Sequence, residues 1–125
     1  MRGSSMSEPV EVPPYLQEQL AKLQQLQQTL QIIVNQKQQV EFELTDTTHA
    51  LDELQKLADD AVVFKSIGAL LIKKDRPSLV KELSERKELL NVRLSVLVKQ
   101  EEKTREKLRE LEQEIQTRLR PAQAS

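Results

Sequence analysis

Between residues 15 and 57 apolar side chains recur at Leu16, Leu20, Leu23, Leu26, Leu30, Ile33, Val40, Leu44, Leu51 and Leu54, with Ala58 just beyond and no Gly or Pro to interrupt. The steps are mostly threes and fours, the heptad seam of a coiled-coil helix. A helix over residues 14–58 is predicted, with Pro14 tolerated in its first turn. Two successive steps of three, Leu20 to Leu23 to Leu26, read as a stammer that overwinds the coil locally. Lys37 and Thr47 occupy seam positions where an apolar residue is expected.

A second seam runs through Val80, Leu83, Lys87, Leu90, Leu94, Leu97, Glu101, Thr104, Leu108, Leu111, Ile115 and Arg118 in strict heptad phase. It predicts a helix over residues 78–120, entered through Pro77 with Asp75 or Ser78 as its cap and stopped by Pro121. Residues 1–13 have no period. MRGSS at 1–5 has the look of an expression leader, Met6 of a natural start, and 121–125 of a short tail. Residues 14–120 form one domain on this reading.

Between the helices the period changes from about 3.6 to two. In residues 61–75, AVVFKSIGALLIKKD, Val62 and Phe64 share one strand face and Val63 and Lys65 the other. Gly68 supplies the positive φ of a turn in Ser66-Ile67-Gly68-Ala69, and Leu70-Leu71-Ile72 returns. This hairpin folds the chain back, so the two helices of roughly 43 residues, each about 65 Å long at 1.5 Å per residue, lie antiparallel. Counting outward from the turn sets Leu54 near Leu83, Leu44 near Leu94, Lys37 near Glu101 and Leu23 near Ile115. A Lys37–Glu101 pair in the seam fixes register more than it adds stability. The fold class is mostly α: a long antiparallel two-helix coiled coil joined by one β-hairpin.

A two-stranded hairpin with apolar residues on both faces is marginal alone. Its open edges invite pairing with another chain. Val62, Val63, Phe64, Ile67, Leu70, Leu71 and Ile72 are therefore the candidate oligomerisation residues, with packing onto the chain's own helices as the plainer reading. At the far end of the coil, fraying would open apolar side chains to solvent. The plainer reading there is that the leucines pair with each other.

Composition narrows the function classes. The chain is 31% charged and 38% hydrophobic but only 2% aromatic, with 2 Gly and no Trp or Cys, which suits long helices rather than a compact globule. Nineteen basic and 20 acidic residues give a net charge of −1, so neither nucleic acid nor a membrane surface is favoured. No apolar run reaches the roughly 20 residues that span a bilayer. His49 with Glu53 is at best a two-ligand metal site and reads as solvated surface. Neither a nucleophile–base set nor a phosphate-binding glycine loop can be assembled, so an enzyme and a cofactor are not expected. A structural or tethering coiled coil explains the heptads equally well but leaves the hairpin unexplained.

The residues themselves resemble a β-class prefoldin subunit of the archaeal type. LQEQLAKLQQLQQTL at 16–30 is similar to that family's opening helix with its QLxxxQQLQQ pattern, and QKQQ at 36–39 to its next block. ADDAVVFKSIGALLIKKD at 58–75 resembles its hairpin, with the V-[FY]-K-S-x-G core at 63–68, and LVKQEE at 97–102 a block of its second helix. The resemblance covers residues 15–119, and one hairpin rather than two marks the β class. It implies a hexamer of two α-class and four β-class subunits whose hairpins form an intersubunit β-barrel body. It also implies a cytoplasmic, ATP-independent chaperone that holds non-native polypeptide at coiled-coil tips and passes it to a group II chaperonin. The tip residues would be Leu16, Leu20, Leu23, Leu111, Ile115 and Leu119. Lys22, Glu112, Glu114 and Arg118 are candidates for the chaperonin contact.

Overall fold

The computed structural model describes residues 12–119. The leader at 1–5, most of the aperiodic lead, Arg120 and the tail at 121–125 lie outside the described residues. Four elements follow in order: helix α1 (Pro14–Gln55), strands β1 (Val62–Ile67) and β2 (Leu70–Asp75), and helix α2 (Arg76–Leu119). Two long helices with a hairpin between them is the architecture the heptads and the change of period predict.

Boundaries shift for local reasons. α1 stops at Gln55 rather than 58: Lys56, Leu57 and Ala61 donate their amides to the carbonyls of Glu53, Leu54 and Ala58 in tight turns. Ala58 thus falls beyond the helix and is exposed. α2 starts at Arg76 rather than 78, because Asp75 is the cap: its Oδ2 accepts the Ser78 backbone amide at 2.9 Å.

Backbone proximity divides the described chain into two compact units, residues 33–101 and residues 12–32 with 102–119. In the first, the hairpin unit, Ile33 and Val40 of α1 pack with Leu90 and Leu97 of α2, flanked by Leu44 and Leu94. A second cluster joins Leu54, Val63 and Leu79, flanked by Val80 and Leu83. Leu54 beside Leu83 and Leu44 beside Leu94 is an antiparallel register. Thr47 sits in this seam, buried, and returns its hydroxyl to the Glu43 carbonyl one turn back at 2.8 Å. Leu79, absent from the seam read off the sequence, is buried because the hairpin covers the first turn of α2.

In the second, the terminal unit, the inward positions of α1 are Leu16, Gln19, Leu23, Leu26 and Leu30. This corrects the stammer. The seam passes through Gln19, not Leu20, and keeps steps of three and four. An amide is invisible to a search for apolar residues, yet Gln19 faces α2 and donates from Nε2 to Glu114 Oε1 at 2.8 Å. Leu20 points outward and is 42% exposed. The α2 side is Thr104, Leu108, Leu111 and Ile115.

The candidate client and assembly sites

The hairpin is a two-stranded antiparallel sheet in which Ile67 pairs with Leu70 across Gly68 and Ala69. Gly68 has φ +57° and no other described residue has a positive φ, as a two-residue turn with glycine in first place requires. Pairing Val63 with Lys74, Lys65 with Ile72 and Ile67 with Leu70 puts these six on one face. Val62, Phe64, Ser66, Leu71, Lys73 and Asp75 form the other.

The first face is partly occupied by the chain itself. Val63 is buried against Leu54 and Leu79. Lys65 Nζ reaches Glu82 Oε2 at 2.6 Å. That hydrogen bond holds the Glu82 carboxyl below its ordinary pKa. Val63 is therefore already packed within the chain, since strand alternation places it over the helix ends. The remaining six, Val62, Phe64, Ile67, Leu70, Leu71 and Ile72, are exposed, with Phe64 at 59% and Leu71 at 73%. Phe64 and Val62 also border a shallow apolar cleft of about 350 Å³ lined by Leu54, Leu57, Leu79 and Leu83.

The base of the hairpin is braced by residues that periodicity does not single out. Arg76 donates from Nε to the Leu54 carbonyl and from Nη1 to Asp59, each at 2.7 Å. A cation here answers one of the orphan carbonyls at the end of α1 and the negative pole of that helix. The Ser78 amide bonded to Asp75 lowers that carboxyl's pKa.

Lys37 and Glu101, the seam pair, meet at 2.6 Å, their side chains 25% and 13% exposed. Arg86 and Glu43 lie 3.7 Å apart on the same unit's surface.

The six candidate tip residues fall into three groups. Leu16 and Ile115 are buried, Leu23 and Leu111 half-buried, and Leu20 and Leu119 exposed, Leu119 at 63%. Beside them Arg118 lies over the Tyr15 ring, 4.9 Å from its centroid. A further set of exposed apolar residues was not assigned from the sequence: Phe42 on α1 and Leu89, Val92 and Val96 on α2. The last three recur at steps of three and four on the outward face, a signal that the stronger inward heptad masks.

His49 is exposed, and among the described residues no group of three His, Cys, Asp or Glu side chains is placed to hold a metal ion. Among the described residues no helix is long and apolar enough to cross a membrane.

A family model described as "Prefoldin subunit" matches residues 17–122. The chain belongs to the prefoldin family. It is 49% identical over 113 residues to prefoldin subunit beta of Thermococcus kodakarensis, covering 90% of this chain and 97% of that one. It is 46% identical over 111 residues to prefoldin subunit beta of Archaeoglobus fulgidus, covering 89% and 96%. The figure for Methanosarcina acetivorans is 42% over 111 residues, covering 89% and 95%. The crystal structure of the prefoldin beta subunit from Thermococcus strain KS-1 is similar at a TM-score of 0.79 with 49% identity, covering 89% of this chain and 97% of that one. The chain is thus a prefoldin-family chaperone subunit, and the structural-coil alternative finds no support in these relatives.

Proposed function

We propose that this chain is the β-class subunit of a hexamer with two α-class and four β-class positions. The complex holds non-native polypeptide without nucleotide and hands it to a group II chaperonin in the cytoplasm; it is not an enzyme. The observation that carries this reading is the hairpin. Six apolar side chains on its two faces are exposed, and among the described residues both outer strand edges are unpaired, so the natural partner is another hairpin. Paired edge to edge, such hairpins become a barrel, which removes the edges altogether. Client contact belongs to Leu16, Leu20, Leu23, Leu111, Ile115 and Leu119, of which Leu20 and Leu119 are accessible as the chain stands. Lys37 and Glu101 set the register of the coil.

The test is light scattering of a denatured client diluted into nucleotide-free buffer. The chain is assembled with an α-class subunit, and compared with the same assembly lacking residues 7–23 and 111–125. Suppression of aggregation by the full complex but not the trimmed one is expected. Equal suppression by both would move the client site away from the chain ends. No suppression by a properly assembled full complex would end the chaperone reading.

A further inference from the structure

Glu85, Leu89, Val92, Val96 and Lys99 follow one another on α2 at steps of four, three, four and three, and all five are exposed. They form a second heptad seam, turned away from the inward one of Leu90, Leu94 and Leu97. It is about 21 Å long at 1.5 Å per residue. Nearby charges on the same helix are already engaged within the chain, Arg86 with Glu43 and Glu82 with Lys65.

The order of residues in this seam singles out a partner. Val92 is at the centre, Leu89 and Val96 sit on either side of it, and Glu85 and Lys99 lie one heptad away in opposite directions. Turned end for end about Val92, the seam is complementary to itself. A second copy laid antiparallel sets Val92 on Val92, Leu89 on Val96, and Glu85 on Lys99 at both ends, a two-fold arrangement. A copy laid parallel sets Glu85 on Glu85 and Lys99 on Lys99, which repel. A non-native polypeptide would cover the apolar middle but gains nothing from opposite charges spaced equally about it. Arg93 flanks Val92 and comes near its own copy at the axis, and its long stem carries the guanidinium out to water.

We propose that the outward face of α2 over residues 85–99 is a contact between two antiparallel copies of this chain. Five residues a side are far fewer than the roughly 20 of a standard interface, so a single pairing is weak. It gains strength where several copies are held together. Because the two copies run in opposite directions, their hairpins lie at opposite ends. The contact therefore joins chains that belong to different hairpin clusters, and it uses neither the hairpin nor the chain ends.

The test uses the full chain, which has no cysteine of its own, so an introduced one reports only its own contacts. Leu89→Cys and Val96→Cys are oxidised separately and as a mixture, and linked peptides are counted by mass spectrometry. Ser84→Cys, exposed but off the seam, measures chance collision. The mixture should link residue 89 to residue 96 well above the Ser84→Cys yield and above either variant linked to itself. In a Val92→Cys background, Glu85→Lys or Lys99→Glu turns two attractions into two repulsions and should cut the yield by roughly tenfold. Mixing the two single swaps, or combining both in one chain, should restore it. Preferential linking of each variant to itself would mean parallel copies and overturn the proposal. Yields no higher than that of Ser84→Cys would mean no contact between copies and also overturn it. Yields that ignore the charge swaps would assign the face to apolar surface of any kind, a non-native polypeptide included, and overturn it as well.

Discussion

Single residues in this chain act through conformation and charge more than through bulk. Gly68 is the clearest case. A Cβ added there meets nothing within 4 Å, so space is not the constraint; φ +57° is. Gly68→Ala should therefore cost about 1 kcal/mol, and Gly68→Val more, because a branched Cβ fits the left-handed region worst. Thermal unfolding of the two variants checks the order. Lys37 and Glu101 illustrate charge. Removing either partner takes a 2.6 Å ion pair from the other, part-buried group, so Lys37→Met and Glu101→Leu should each destabilise by about 1–2 kcal/mol, less than the loss for a fully buried pair. The double replacement should recover most of it. Denaturant midpoints in a double-mutant cycle test this, and additive single effects would show that the pair does not interact.

At the scale of elements the junction between hairpin and α2 is the most sharply specified place. Asp75 caps α2, and Arg76 ties the end of α1 to it. Asp75→Ala should lower the thermal unfolding midpoint, because the Ser78 amide at the start of α2 loses its acceptor. Its pH dependence has a definite sign. The folded carboxyl titrates below its ordinary value of 3.8, so the folded state binds this proton less readily than the unfolded chain. The cap's contribution is full above the ordinary value and is lost as pH falls through the lower folded one. The gap between wild type and Asp75→Asn should accordingly narrow below about pH 4 in acid titrations followed by circular dichroism. A gap that stayed constant would assign the cap's effect to geometry alone.

The whole molecule separates two kinds of apolar strand residue that look alike in sequence. Val63 packs on Leu54 and Leu79, whereas Phe64 and Leu71 face solvent. Val63→Ala should lower the stability of the isolated chain by about 1–2 kcal/mol. Phe64→Ser with Leu71→Ser should leave that stability within about 0.5 kcal/mol, as surface changes do. On the barrel reading the same double variant should fail to assemble with an α-class subunit, seen as a smaller species in sedimentation velocity. Normal assembly by that variant would place the subunit contact elsewhere on the chain.

Much of this is legible in the sequence. Heptad spacing is set by helix geometry alone, so Ile33, Val40, Leu90 and Leu97 declare their inward face in the sequence. Counting from Gly68 through an antiparallel turn is enough to set Lys37 opposite Glu101. A change of period announces the hairpin, and the motif at 63–68 points to the family. These features depend on neighbours along the chain, whose spacing the covalent backbone fixes. What needed the tertiary structure depends on which groups meet across the fold. Gln19 sits in the seam and meets Glu114, but its amide carries no apolar signal. Val63 is buried and Phe64 exposed because the helix ends cover one face of the ribbon and not the other. Arg76 becomes a brace only when the end of α1 lies beside it. The sequence by itself determined the elements, their faces and their order. The tertiary structure decided which apolar residues are already partnered within the chain and which remain for another molecule, because burial depends on what packs against a face and not on the face alone.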